Sequence, residues 1–267
     1  MPEGHVIHRL ARDLTEEFAG QRVCVSSPQG RFATSAALID DHVLTHADAY
    51  GKQLFIHFAG PHVVSIHLGL IGKFRVAPLS DPGPTVRLRI ANSSVAADLI
   101  GPQWCRLVTE DEVAQAVAKL GADPLRADAD PEWLWTRVSR SSRTIASLLM
   151  DQKLFAGVGN IYRAEPLFRL GLSPFTPGRE LSRELFDALW ADLVTLMQDG
   201  VTAGRIDTVR LEHTPEAMGR DPRKDDHGGE VYVYRRAGLP CHVCGTEVQH
   251  QVLEGRNLFW CPTCQSS

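Results

Sequence analysis

Four of the six cysteines form two pairs whose spacing is typical of a metal site. Cys241 and Cys244 make one Cys-x2-Cys motif, Cys261 and Cys264 make a second, and 16 residues separate the pairs. Four thiolates at this spacing can close tetrahedrally on one Zn²⁺ and leave no open coordination position. The pattern therefore predicts a single structural zinc ion that stabilises a small ribbon.

The segment between the two cysteine pairs is predicted to be a hairpin. Residues 248–253 and 258–260 have the composition of strands, and residues 254–257 join them. Arg256 would then lie at the exposed tip of the hairpin. A guanidinium group there is suited to phosphate contact, although a lone arginine could equally be an ordinary surface charge.

The second residue of the chain, Pro2, is a candidate nucleophile. A small residue in this position normally allows the initiator methionine to be removed. The free proline is then a secondary amine with a pKa of about 8, so a neutral fraction exists near pH 7. Such an amine can attack an electrophilic carbon and form an iminium, and the adjacent Glu3 could transfer protons. The alternative is purely structural, with a proline and an acidic residue starting a helix.

Two glycine-containing turns could present polar groups to a ligand. Lys52 follows Gly51 and leads into an apolar strand, which by itself indicates only a surface lysine. In residues 157–162 two glycines precede a helix, so backbone N–H groups and the Asn160 side chain could bind an anion or a phosphate. Alternatively, Asn160 simply caps that helix. The 11 histidines show no metal-ligand spacing and are interpreted as non-ligands.

The elements that would position these residues fall into two regions. The chain has 267 residues, 43% of them hydrophobic, which is enough for one or two globular domains. Helical periodicity over residues 3–18 precedes short β-type runs as far as residue 100, which predicts a helix with a β-sandwich or barrel. These runs are residues 22–26, 54–58, 62–67, 73–76 and 85–90.

The region after a predicted linker at residues 121–131 is helical in pattern. Apolar residues at helical spacing indicate one helix beginning at residue 145, a second within 161–170 and a third over 181–196. The polar segment 200–230 is predicted to be a solvated loop. Residues 231–234 are predicted to form a strand that leads into the cysteine module.

Bulk composition indicates neither a nucleic-acid partner nor export. A net charge of −4 and a pI near 6.3 lack the usual basic signature of a nucleic-acid binder, so a phosphate-binding surface would have to arise from local arrangement. No apolar run approaches the roughly 18 residues that span a bilayer. The first residues do not have the pattern of a signal peptide, which predicts a cytoplasmic protein with no membrane partner.

Taken in order, these motifs resemble the formamidopyrimidine-DNA glycosylase/endonuclease VIII family of bifunctional DNA repair enzymes. The resemblance covers nearly the whole chain. It rests on the initial Pro-Glu-Gly, the Gly-Lys turn, residues 67–72 and 149–162, and a zinc finger with Arg256 three residues before Phe259. It implies an α+β fold with an N-terminal helix and β-sandwich (1–120), the linker (121–131), a helix–two-turn–helix domain (132–229) and a zinc-finger hairpin (230–267).

The resemblance also implies an activity and a set of catalytic residues. The chain would be a DNA glycosylase and AP lyase of base excision repair. Pro2 would attack C1′ of the damaged nucleotide, expel the base and form a Schiff base. Glu3 would handle protons during base departure and sugar opening. Lys52 would contact the DNA backbone and assist proton transfer. Arg256 would assist strand cleavage by β,δ-elimination.

The implied partner is damaged DNA, duplex or single-stranded, bound by a monomer. Asn160 and Arg256 would hold phosphates that flank the extruded nucleotide, and Lys119 is assigned to the same DNA-binding set. Leu70 is placed to fill the gap left by that nucleotide as an apolar wedge. An ordinary core leucine is the alternative interpretation for Leu70.

Two departures from the formamidopyrimidine branch narrow the implied substrate. That branch usually has an arginine in the loop that corresponds to residues 91–100, and this stretch contains no arginine. It also usually has a lysine at the position of Ala146. Both departures favour the endonuclease VIII-like branch and oxidised pyrimidines. Endonuclease VIII itself usually has a glutamine beside the wedge, which the Gly-Leu-Ile of residues 69–71 lacks.

Other functions remain open on the sequence alone. A damaged-DNA-binding protein without glycosylase activity would share the zinc finger and the helical domain. A glycosylase that prefers 8-oxoguanine or formamidopyrimidines would share the catalytic residues. A small-molecule enzyme using an N-terminal proline as a base would leave Arg256 unexplained.

Overall fold

The computed structural model describes residues 2–224 and 229–266, and the chain divides into two compact units, residues 1–119 and 120–267. The first unit consists of α1 (Gly4–Phe18), β1 (Gln21–Ser26), α2 (Ala33–Ala37), β2 (His42–Tyr50), β3 (Gln53–Phe58), β4 (Val63–His67), β5 (Lys73–Pro78), β6 (Val86–Ala91), β7 (Val95–Ile100), β8 (Trp104–Val108) and α3 (Glu110–Val117). These elements confirm the predicted helix followed by a β-sandwich.

The strands of the first unit are antiparallel, in the order β5-β7-β6-β1-β2-β3-β4-β8. The first half of β1 pairs with β2 and its second half pairs with β6, so β1 passes from one sheet of the sandwich to the other. The apolar side of α1, including Leu14 and Phe18, is fully buried in one cluster with Leu54 of β3 and Leu88 of β6. Helical periodicity therefore identified the helix face that covers the sheet.

Three strands and two short helices of the first unit were not predicted. The strands β2, β7 and β8 carry polar residues and do not show a sustained alternation of apolar and polar positions. The helices α2 and α3 are only 5 and 8 residues long. β2 shows the physical reason. It includes Thr45, His46 and Asp48, yet it is held on both edges by ladder hydrogen bonds to β1 and β3. Pairing with two neighbours outweighs an intrinsic preference worth about 1 kcal/mol.

The second unit is helical and ends in a two-stranded hairpin. Its elements are α4 (Pro131–Val138), α5 (Ile145–Met150), α6 (Asn160–Arg169), α7 (Arg183–Ala203), α8 (Pro215–Met218), β9 (Gln249–Leu253) and β10 (Arg256–Trp260), with short 3-10 turns at Gly178–Glu180 and Leu211–His213. Leu148, Ile161, Phe186 and Leu193 from three of the helices share one core with Leu258 of the hairpin, so the hairpin and the helices fold as one body.

The predicted strand at residues 231–234 is wrong. The backbone N–H groups of Tyr232, Val233 and Tyr234 all donate to the carboxylate of Glu165, over 2.7–2.9 Å. Successive N–H groups of a strand point in opposite directions, so three consecutive donors to one acceptor exclude a strand. Instead, the buried carboxylate organises the segment.

The predicted solvated loop at 200–230 is also wrong over much of its length. α7 continues to Ala203, and Ile206 and Thr208 are buried. Arg220 forms an ion pair of 2.7 Å with Glu230, whose carboxylate also accepts the N–H of Arg223. Residues 225–228 lie outside the described residues. No helix within residues 2–224 and 229–266 is both long and apolar enough to cross a membrane.

Candidate catalytic site and nucleic-acid interface

Residues 2–4 lie at the end of the first unit that also carries the β2–β3 turn. Thr15 of α1 accepts the N–H of Ala47, and farther along the chain the N–H of Gly20 donates to the carbonyl of Leu44. The contacts move from Ala47 back to Leu44 of β2 as the chain advances from Thr15 to Gly20, so α1 runs antiparallel to β2. The N-terminal end of α1 is therefore directed towards the end of β2 where the turn lies.

The predicted catalytic residues belong to the start of α1 and to the β2–β3 turn. Glu3 is the N-cap residue of α1 and is fully buried, and Pro2 before it is half-buried. Gly51 and Lys52 form the two-residue turn between β2 and β3, and Gly51 has the positive φ (58°) that favours glycine at the first turn position. Burial lowers the pKa of the nearby His5 to about 4, so this imidazole is neutral at pH 7.

Lys52 also lies near the segment that follows β4. Burial, together with the Lys52 charge, lowers the pKa of His67, while a hydrogen bond with Gln103 opposes the shift. The Nδ1 atom of His67 accepts the N–H of Gly69 at 3.0 Å, and its ring stacks on Trp104 at 4.5 Å. The neutral imidazole therefore fixes the start of the following loop, which we call the 68–72 loop.

The 68–72 loop exposes two adjacent large aliphatic side chains. Leu70 is 67% exposed and Ile71 is 80% exposed, whereas Leu68 is buried and anchors the loop. The N–H of Gly72 donates to the carbonyl of Leu68 at 3.1 Å and closes the turn. The core interpretation of Leu70 is therefore wrong. Sequence reasoning did not identify Ile71 as a further exposed apolar residue of the loop.

In the second unit, Asn160 links α6 to the hairpin. The helix is capped by Gly159, so the capping interpretation of Asn160 is wrong. The side-chain amide of Asn160 donates to the carbonyl of Asn257 at 2.9 Å, and its oxygen accepts from Arg163, which also donates to Asn257. Asn160 is 8% exposed. This network fixes the residue that follows Arg256.

Arg256 occupies the first position of β10 beside a tight turn. Glu254 and Gly255 both have positive φ values, 48° and 75°, and Arg256 pairs with Leu253, which is a two-residue turn of the I′ kind. Arg256 therefore belongs to the strand and is exposed at the hairpin tip. Arg143 forms an ion pair of 2.8 Å with Asp151 and lies 3.8 Å from Glu254, which places a second arginine near this tip.

The four cysteines converge as the spacing predicts. Their sulfur atoms all lie within 4.8 Å of one another, with 3.9 Å between Cys241 and Cys264 and 3.5 Å between Cys244 and Cys261. Tetrahedral Zn–S bonds of about 2.3 Å require sulfurs about 3.8 Å apart, so the residues fit one zinc ion. Gln265 joins this site to the helices because its side chain donates to the carbonyl of Leu172 and accepts the N–H of Cys261.

Two further positions named from the sequence lie outside these groups. Lys119 is exposed two residues after α3, at the end of the first unit. Ala146 is fully buried in α5 and contributes to the core of the second unit. The arginine-free stretch 91–100 comprises the last residue of β6, a tight turn and β7, with Asn92 accepting the N–H groups of Ser94 and Val95.

Comparison with known proteins identifies each part of this architecture. Residues 1–100 match the formamidopyrimidine-DNA glycosylase N-terminal domain, residues 120–211 the formamidopyrimidine-DNA glycosylase H2TH domain, and residues 238–266 the zinc finger found in FPG and IleRS. The chain is 49% identical to Endonuclease 8 1 of Mycobacterium tuberculosis over 275 residues, with 100% of both chains covered.

Solved structures show the same fold. MutM (FPG) of Thermus thermophilus has a TM-score of 0.77 and 30% identity, covering 100% of this chain and 99% of that one. A structure of MutM in complex with DNA containing carbocyclic 8-oxo-G has a TM-score of 0.80 and 22% identity, with 100% of both chains covered.

A helix with a β-sandwich, followed by an H2TH unit and a four-cysteine zinc finger, defines a class of DNA glycosylase folds. The chain belongs to the formamidopyrimidine-DNA glycosylase/endonuclease 8 family, as the sequence motifs predicted. Its 49% identity to Endonuclease 8 1 exceeds its 30% identity to the Thermus protein, which confirms the expected proximity to the endonuclease 8 branch.

Proposed function

We propose that this protein is a bifunctional DNA glycosylase and AP lyase of base excision repair, acting as a monomer on damaged DNA in the cytoplasm. The observation that carries the proposal is the position of Pro2, Glu3 and Lys52 at one end of the first unit. The three residues supply an amine, a carboxylate and a second amine. Expelling a base requires a nucleophile at C1′ and a group that moves protons.

In the proposed mechanism, the nitrogen of Pro2 forms a bond to C1′ while the bond between C1′ and the damaged base breaks. The departing base takes up a proton, and opening of the sugar ring leaves an iminium between Pro2 and C1′. Glu3 moves protons to and from the sugar, and Lys52 holds the backbone phosphate and assists this transfer. Loss of a 2′ proton then expels the 3′ phosphate, and a second elimination expels the 5′ phosphate.

The nucleophile requires that Pro2 carry a free amine. Removal of the initiator methionine would provide it, and the mass of the intact purified protein tests this directly.

The phosphates of the DNA would be bound by Asn160, Arg256 and Lys119. One N–H of the Asn160 amide is committed to Asn257, and the second would donate to the DNA.

The exposed Leu70 and Ile71 would enter the base stack when the damaged nucleotide is extruded. Replacing both with serine should weaken binding to lesion-containing DNA about 10- to 100-fold, because burying one large aliphatic side chain contributes about 1.5–3 kcal/mol. The free energy of unfolding should change by less than about 0.5 kcal/mol because both side chains are already exposed. DNA titration and urea denaturation measure the two effects.

The matched control for this experiment is Leu79→Ser, at another exposed leucine of the first unit (48% exposed). The control should bind DNA as the unaltered protein does. Unchanged binding by the double variant, or equal weakening by the control, would exclude the 68–72 loop as the wedge.

Oxidised pyrimidines are the proposed substrates because residues 91–100 lack the arginine of the formamidopyrimidine branch and Ala146 replaces its lysine. Borohydride trapping on duplexes with one oxidised pyrimidine or one 8-oxoguanine tests this preference. We expect the covalent adduct chiefly on the pyrimidine duplex. An adduct only on the 8-oxoguanine duplex would overturn the proposed preference for oxidised pyrimidines, while the proposed glycosylase and lyase activity would stand. No adduct on either duplex or on an abasic-site duplex would favour a DNA-binding protein without catalysis.

A further inference from the structure

Three potential metal ligands lie together on the β2–β3 hairpin of the first unit, whereas the four cysteines belong to the second unit. His46 and Asp48 are two residues apart on β2, and His57 pairs directly with His46 across the ladder. Residues at i and i+2 of a strand share a face, and directly paired residues have Cβ atoms about 5 Å apart. One ligand atom from each of the three residues lies within 4.8 Å of the others.

His57 is built into this cluster as a buried and oriented imidazole. The residue is 7% exposed, and its Nδ1 atom lies 2.8 Å from a carboxylate oxygen of Glu110, the first residue of α3. The remaining ring nitrogen, Nε2, is enclosed and has no hydrogen-bond partner among residues 2–224 and 229–266. A buried polar atom without a partner costs about 1–3 kcal/mol.

We propose that His46, Asp48 and His57 form a binding site for a divalent transition-metal ion such as Zn²⁺. Imidazole and carboxylate ligands suit this class of ion, and a histidine ligand characteristically donates its other N–H to a carboxylate, as His57 would to Glu110. The metal bond satisfies Nε2 of His57. Water completes the coordination.

Metal binding would require the stacked imidazole rings of His46 and His57 to separate. The rings of His46 and His57 stack at 4.2 Å with their planes 6° apart, and Nε2 of His46 lies 3.5 Å from the Asp48 carboxylate. A metal binds in the plane of each imidazole, so one ring must turn out of the stack. His46 can turn because its side chain is 47% exposed, whereas His57 is held by burial and by Glu110.

The ion would join β2 to β3 within the hairpin that ends at Gly51 and Lys52. Because His46 lies five residues before Gly51, the site is about 16 Å from the turn along the strand. Its nitrogen and oxygen ligands also differ from the four thiolates. The site therefore binds a second ion independently of the structural zinc.

The test is metal stoichiometry of the full chain with the cysteine site filled. After equilibrium dialysis against Zn²⁺, elemental analysis should give two zinc ions per chain for the unaltered protein. His46→Ala and Asp48→Asn should each reduce this to one, and both replace partly exposed residues, so the chain should still fold. The control His42→Ala, at a histidine of the same strand whose ring contacts the carbonyl of Asp40, should retain two.

Thermal unfolding provides a second readout. Added Zn²⁺ should raise the melting temperature of the first unit in the unaltered protein and in His42→Ala, and not in Asp48→Asn. One zinc ion per chain in the unaltered protein would overturn the proposal. So would two zinc ions per chain in His46→Ala and Asp48→Asn as well as in the control His42→Ala.

Discussion

Replacing Glu165 with alanine should lower the free energy of unfolding of the second unit by about 4 kcal/mol, because a buried charged acceptor is lost while its donors remain. Glu165 is fully buried in α6 and accepts three consecutive backbone N–H groups, from Tyr232 to Tyr234. It also accepts the Thr208 hydroxyl at 2.6 Å. These contacts hold the segment that leads into the zinc finger.

The size of the effect depends on the number of donors left without an acceptor. Glu165→Gln should destabilise the unit less than Glu165→Ala, because the glutamine side-chain oxygen can still accept some of these hydrogen bonds. Its NH₂ group is a donor and cannot accept the others. Asp199→Ala, at an exposed carboxylate near the C-terminal end of α7, is the control and should change stability by no more than about 0.5 kcal/mol. Urea denaturation followed by tryptophan fluorescence measures all three variants. Equal stability of Glu165→Ala and the control would contradict this account.

Converting the Pro2 nitrogen into an amide should abolish both base excision and strand cleavage, with a loss of at least about 10³-fold in rate, as expected for removal of a covalent nucleophile. A short leader attached directly before Pro2 makes this change and leaves every side chain intact. An amide nitrogen has no available lone pair for attack at C1′. Single-turnover assays on lesion-containing duplexes measure the loss.

The control for the leader separates chemistry from DNA binding. The extended chain should bind lesion-containing DNA with an affinity close to that of the mature chain, because the phosphate-binding residues are unchanged. Loss of binding in parallel with activity would indicate obstruction of the DNA path. Proteolytic removal of the leader should restore the rate.

Local sequence patterns predicted the parts of the molecule that depend on local geometry. The four cysteines were identifiable because ligand pairs in a zinc finger lie close together in the chain. The helix α1 was identifiable because a single apolar face repeats at helical spacing through Leu14 and Phe18. The candidate residues Pro2 and Glu3 were identifiable from their position at the start of the chain. The burial of Glu3 could be seen only in the folded structure.

Features that depend on distant parts of the chain were not predictable in the same way. Glu165 and its N–H donors are separated by 67–69 residues, so no local pattern reveals the contact. Leu70 and Ile71 have apolar side chains, which by residue type favour burial, and only the loop conformation exposes them. His46 and His57 show no metal-ligand spacing in the sequence, and their pairing depends on strand register and a bulge near residue 45.

The most direct test of the central claim is borohydride trapping on an abasic-site duplex with the leader-carrying chain, before and after the leader is removed. We predict a covalent protein–DNA adduct only after removal, with mass spectrometry locating the DNA on the peptide that begins at Pro2. An adduct of equal yield before removal, or one located on a lysine such as Lys52, would contradict the assignment of Pro2 as the nucleophile.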